Sequence, residues 1–197
     1  MRVAKLRLSV LVFGTILMSN HAWADPRVEL HGLKFERQDT ALSMSANLQF
    51  DLPSALEEAL RKGIALYFVT EVEITQERWY VYNQRIAQVQ RHVRLSYQPL
   101  TRRWRVNVSP QAFSVTGLGM SLGQSYESLD DAMGSIKRIV QWHIANAADV
   151  NPEMKQTVSL NFKLDVKQLP RPLQIGAVGQ SDWDIALSKT QRLELSP

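Results

Sequence analysis

The chain of 197 residues has no cysteine. That excludes disulfides, thiolate metal ligands, a thiol nucleophile and a lipid-bearing N-terminal cysteine, so packing alone must hold the fold. Histidine is scarce as well. Beyond the N-terminal segment only His31, His92 and His143 remain, too scattered for metal-ligand spacing. No cofactor is expected. Long apolar runs are nearly missing. Leu8 to Met18 is one, and it falls short of the roughly 20 residues that a membrane helix needs.

That run belongs to a secretory signal peptide covering residues 1–24. Arg2, Lys5 and Arg7 form its basic start, and Ala22 and Ala24 are the small residues of a cleavage site before Asp25-Pro26. Left uncleaved, it would act as a membrane anchor. Cleavage after Ala24 leaves a single periplasmic β-rich domain over 25–197, and it changes the charge. Of 23 Lys+Arg, three are lost, so 20 face 19 Asp+Glu. A net charge near +1 builds no field to gather polyanions, and no nucleic-acid partner is expected.

What is present is alternation. In "ALSMSANLQF" Leu42, Met44, Ala46, Leu48 and Phe50 alternate with polar residues, so 27–52 reads as a hairpin with one buried face. "PSALEEALRKG" follows as a short helix, with a Ser54/Glu57 capping box and Gly63 as its stop. Period two then returns, with Ile64, Leu66, Phe68, Val72 and Ile74 inward and Glu71, Glu73, Thr75 and Glu77 outward.

A turn at Asn83-Gln84 would pair Ile74 with Val93, Val72 with Leu95 and Glu73 with Arg94. A second turn at "PLTR" would pair Tyr97 with Trp104 and Leu95 with Val106. The stretch "RHVRLSYQPLTRRWRV" carries five arginines. Most of them alternate with apolar residues beside an acidic strand, which is the spacing of a solvated sheet face. Arg102 and Arg103, at the turn, remain available to an anionic partner such as a lipid headgroup.

Residues 109–127, rich in Gly and Ser, read as a mobile loop whose Met120 and Leu122 could touch a partner. "GLGMSLG" lacks the spacing and the Lys-Ser/Thr of a phosphate loop. "SLDDAMGSIKRIVQW" reads as a second helix, capped by Ser128 and with Leu129, Ala132, Ile136 and Ile139 on one face, and loop continues to "NPE". "TVSLNFKLDV" is a strand with Val158, Leu160, Phe162, Leu164 and Val166 inward. A last strand runs from about Trp183 to Leu187, and "QRLEL" is a candidate for one more. "SANLQFDL" (45–52) and "SLNFKLDV" (159–166) share Ser, Asn and Asp at equal spacing, as a duplicated strand–crossover–strand unit would.

The fold class expected is mainly β (α+β), an antiparallel β-sandwich or strongly curved sheet with two short helices. Two carboxylate pairs could serve a hydrolase: Glu71 with Glu73 on one strand face, and Asp182 with Asp184 around Trp183. Salt bridging is the competing use of the first pair. The favoured function is a periplasmic, non-catalytic binding or interaction protein, and the alternative is an envelope hydrolase using those carboxylates.

Four stretches together carry a resemblance: "RLSYQPLTRRWRV", "SLDDAM", "ANAADVNP" and "LPRPLQIGAVGQSDWDIALS" with "QRLEL". The chain resembles the exported proteobacterial domain of unknown function numbered 4390. The resemblance implies a periplasmic protein of a Gram-negative cell. It implies no catalytic residue or cofactor. Relatives often encoded beside a membrane sensor kinase of the nitrogen-regulation type point to such a kinase as the envelope partner.

Overall fold

The computed structural model describes residues 28–77, 83–113, 122–151, 154–177 and 183–195. In chain order its elements are β1 (Glu29–Gln38), β2 (Ala41–Gln49), α1 (Ser54–Arg61), β3 (Leu66–Gln76), β4 (Gln84–Gln98), β5 (Arg103–Ser109), β6 (Leu122–Tyr126), α2 (Leu129–Lys137), β7 (Arg138–Asn146), β8 (Gln156–Leu164), α3 (Arg171–Ala177) and β9 (Ala186–Arg192). Single 3-10 turns follow β7 and β8, at Ala147–Asp149 and Val166–Gln168. The signal-peptide segment lies outside the described residues.

Alternation became strands with the expected faces inward. Leu42, Met44, Ala46, Leu48 and Phe50 are buried, as are Leu66, Phe68, Val72 and Ile74, and Val158, Leu160, Phe162 and Leu164. The strands form two antiparallel sheets, one ordered β1-β2-β7 and the other β6-β5-β4-β3-β8-β9. Side chains of both sheets, with those of α1 and α2, make one apolar core. The fold is mainly β, as expected. At the core's centre Phe50, where the chain leaves β2, meets Phe68 at 6.0 Å and Phe162 at 5.3 Å between ring centroids.

The β3–β4 register departs from expectation. Ile74 pairs with Ala87, Glu73 with Gln88 and Leu66 with Leu95. The turn is not at Asn83-Gln84, because Gln84 already pairs with Gln76. The shift is even, so every side chain keeps its face. Alternation forbids odd slips but cannot choose among even ones. Glu73 therefore bonds Arg85, at 2.7 Å, while Arg94 lies 5.9 Å from the centroid of the Tyr67 ring. The β4–β5 hairpin has the expected pairs, Tyr97 with Trp104 and Leu95 with Val106.

The helices bring three corrections. In α1 the N-cap is Pro53 and no side chain caps it; Ser54 already lies inside the helix, so Glu57 reaches Arg61 at 2.6 Å instead. Gly63 does end the helix. It takes φ +85°, the left-handed region that glycine tolerates, while its N–H bonds to Leu60 O and that of Ile64 to Ala59 O. The second helix stops at Lys137, and β7 begins at once. Two bulges in the β2–β7 pairing, one beside Gln141 (φ +46°), insert extra residues. They break period two in "RIVQWHI", so Ile139 of the strand falls in phase with Ile136 of the helix. A third helix, α3, forms in "RPLQIGA", where a proline in the first turn costs no hydrogen bond.

Two edge strands were misread for a common reason. β6 forms within the expected loop, and β9 runs from Ala186 rather than from Trp183. Both are largely exposed, so neither carries a buried stripe. Gly123 lets β6 approach: a Cβ there would come within 2.8 Å of the Asn107 side-chain nitrogen. "QRLEL" supplies the end of β9 and a single bridge from Leu195 to Phe35. The proposed duplication has no counterpart in the topology. β2 and β3 lie in different sheets, whereas β8 and β9 are paired neighbours.

Trp104 is buried and its ring lies 4.7 Å from that of Tyr97. Trp104→Ala is expected to destabilise by about 3–5 kcal/mol. Arg94→Ala, losing only an exposed cation–π contact, is expected to cost about 1 kcal/mol or less. Urea unfolding of the two variants checks the assignment of inner and outer faces.

Candidate functional site

β5 pairs with β4 only as far as Ser109, opposite His92. Among the described residues, β4 from Gln84 to Arg91 therefore has a ladder partner on one side only. At this place a cleft of about 990 Å³ opens between the sheets. Gln90 and Arg91 of β4 line one wall, the end of β5 with Leu122 and Gln124 of β6 a second, and Ser135 with residues 138–143 of α2 and β7 the third. Such a volume lies at the upper end of the roughly 300–1,000 Å³ of small-molecule sites.

Much of the wall is apolar, and part of that apolar surface faces solvent. Leu122 is 82% and Val140 is 58% exposed. The charged groups of the lining are of one sign. Among the described residues Arg91 and Arg138 are there, and no Asp or Glu. Neither arginine forms an ion pair with a described residue.

Arg91 is the unusual member. It has the parity of Val93 and Leu95, so it stands on the sheet face that carries the core. Burial pushes its guanidinium below the ordinary arginine value, and no neighbouring carboxylate opposes that shift. Directly across the ladder lies Thr70, 1% exposed, whose hydroxyl has no hydrogen-bond partner among the described residues. Placing a half-buried cation and a buried hydroxyl on an apolar face, with no partner for either among the described residues, is costly. The visible signal was parity: in "RHVRLSY" Arg91 matches Val93, whereas Arg94 does not. Sequence reasoning assigned Arg94, Arg103 and Arg105 to the outer face and gave Arg91 no separate place.

The residues singled out from sequence are not brought together. Leu122 lines the cleft, and Met120 lies outside the described residues. Arg102 and Arg103 sit at the far end of the β4–β5 hairpin, roughly 20 Å along the strand from Arg91. Arg103 bonds Glu127 at 3.0 Å, and Arg102 takes a left-handed φ of +53° in the turn.

The strand-face carboxylates are engaged elsewhere. Glu71 accepts hydrogen bonds from the amides of Gln88 and Gln90, which hold its carboxyl below the usual range, the Gln88 bond most of all. Glu73 accepts from Arg85. Asp182 lies outside the described residues, and Asp184 is exposed.

A spacing passed over in the sequence is Gly119-Met120-Ser121-Leu122-Gly123, which has the Gly-x-Ser-x-Gly form of a nucleophile elbow. An elbow leads from a strand into a helix. Here a strand follows, from Leu122, and Ser121 lies outside the described residues.

Residues 25–194 match the family described as "Domain of unknown function (DUF4390)". No curated protein and no solved structure matches the chain.

His92, on the opposite sheet face beside the cleft, is buried. Its Nε2 meets Gln90 Oε1 at 3.1 Å, and its Nδ1 has no partner among the described residues. Burial lowers its folded pKa, with Asp165 and Glu71 opposing. An unfolded histidine titrates near 6.5. The unfolded chain therefore binds the proton first. Stability from neutral His92 is fully present above about pH 6.5 and is lost as pH falls from there through the lower folded value. Melting temperature against pH should fall through that window, and His92→Phe should flatten this part of the curve.

Proposed function

The chain belongs to the DUF4390 family, and on that footing we propose that it is an exported, non-catalytic binding protein whose ligand enters the cleft between its sheets. The observation that carries this reading is Arg91, without an ion-pair partner among the described residues, on the wall of a cleft of about 990 Å³. A half-buried cation without a counter-charge among the described residues is what an anionic ligand would complete. Glu71 supports the non-catalytic side, because its lowered pKa is the reverse of what a general acid needs.

Export is part of the proposal. The family match begins at Asp25, the residue after the expected cleavage point. We place the protein in the periplasm of a proteobacterium, with the liganded cleft presented to an envelope protein such as a membrane sensor kinase. The bound ligand, lying over exposed Leu122 and Val140 at the cleft rim, forms part of the surface which that partner meets.

Protein recovered from the periplasm should have an intact mass beginning at Asp25. Under native conditions it should carry a bound mass that denaturation releases. Val140→Trp, at an exposed position, should fold, lose that mass and weaken capture of envelope partners after crosslinking. A chain retaining Met1–Ala24 would overturn the export reading. The same capture by wild type and Val140→Trp, with no bound mass in either, would overturn the cleft as the site.

A further inference from the structure

The cleft pairs a mostly apolar wall with the cations Arg91 and Arg138 and, among the described residues, no acid in its lining. We propose that its ligand is a single-chain amphiphile with an anionic head, the head on Arg91 and the chain along Val108, Leu122, Val140 and Trp142. This rests on the binding reading of the cleft.

Three observations select that chemistry. The lining carries arginines and no carboxylate, so a cationic or zwitterionic head finds no counter-charge among the described residues, whereas a carboxylate or phosphate does. The second is depth. Arg91 lies on the sheet face that carries the core, opposite buried Thr70 in the β3–β4 ladder. The third is the solvent-exposed apolar surface. Leu122 and Val140, on β6 and β7, stand exposed on facing sides of the cleft, where a hydrocarbon chain would cover both.

An extended peptide is the competing occupant, since β4 offers a one-sided ladder beside the cleft. A peptide brings an amide every ~3.3 Å, and each buried amide needs partners. The β4 edge supplies them along one side only, Leu122 and Val140 supply none, and Trp142 supplies a single indole N–H. A peptide would also place an anion at Arg91 only through an acidic side chain or its C-terminus.

Trp142 lines the cleft and reports on it directly. The mature chain is titrated with dodecanoate, dodecyl phosphate and uncharged dodecanol, with tryptophan fluorescence as the readout and Trp142→Phe as the signal control. The two anions should bind about tenfold or more tightly than dodecanol, as expected for hydrogen bonds to a charged partner. Their relative affinities separate a free fatty acid from a phosphate-headed lipid as the source.

Arg91→Leu should keep dodecanol binding and abolish the preference for anions. Arg102→Leu should change neither. Each methylene removed from the chain should weaken binding about fourfold. Equal binding of dodecanol and the anions, or a preference that survives Arg91→Leu, would overturn the proposal. If no amphiphile binds while the native protein releases a peptide mass, this inference falls and the cleft remains a binding site. If neither occurs, both fall.

Discussion

The apolar face of a six-stranded sheet has to be covered, and the cover is a three-stranded sheet with two short helices. Most of the architecture follows from that mismatch. Coverage is dense over β3 and β8, where Phe50, Phe68 and Phe162 pack together. Over β5 and β6 the cover is α2, β7 packs chiefly on β4, and the end of α2 borders the cleft between them. The cleft is the part of the large sheet that the small one does not reach.

Arg91 stands at the border of that coverage. One position further along β4, Val93 is buried in the core; on the other side, Val89 is half-buried. A third valine would have continued the apolar stripe. A guanidinium there gives up hydration and gains no ion pair among the described residues, a departure from local consistency of the kind that functional sites tolerate. The outer face is ordinary by contrast. Glu71 and Glu73 are hydrogen-bonded by Gln88, Gln90 and Arg85, and Arg94 stacks near Tyr67. The arginine-rich stretch that draws the eye in the sequence thus divides in two: Arg94, Arg103 and Arg105 on the solvated side, Arg91 on the other.

Leu42 through Phe50, Leu66 through Ile74 and Val158 through Leu164 could be assigned to buried strand faces from period two alone, because a buried face requires alternation. The "PLTR" hairpin was equally legible, since a short turn fixes its own register. α2 was half legible: Ser128 does accept the hydrogen bond of Asp131 N, but the bulges of β7 disguised a strand as more helix. β6 and β9 were illegible because an exposed edge strand buries no stripe. Leu122 was singled out as a contact residue in a loop, and it lines the cleft from a strand.

Faces and local turns, then, are properties of the chain itself, because both arise from neighbours within a few residues. Which strands pair across long connections, and with which even register, depends on partners far away in sequence. The β3–β4 slip and the transfer of residues 138–142 from helix, and of 143–146 from loop, to strand are all of this kind. The cleft is the extreme case. It is bounded by β4, β5, β6, α2 and β7, and no single one of them contains it. Only when two sheets of unequal width share one core does an uncovered apolar strip exist, and only then does Arg91 become a cation facing it.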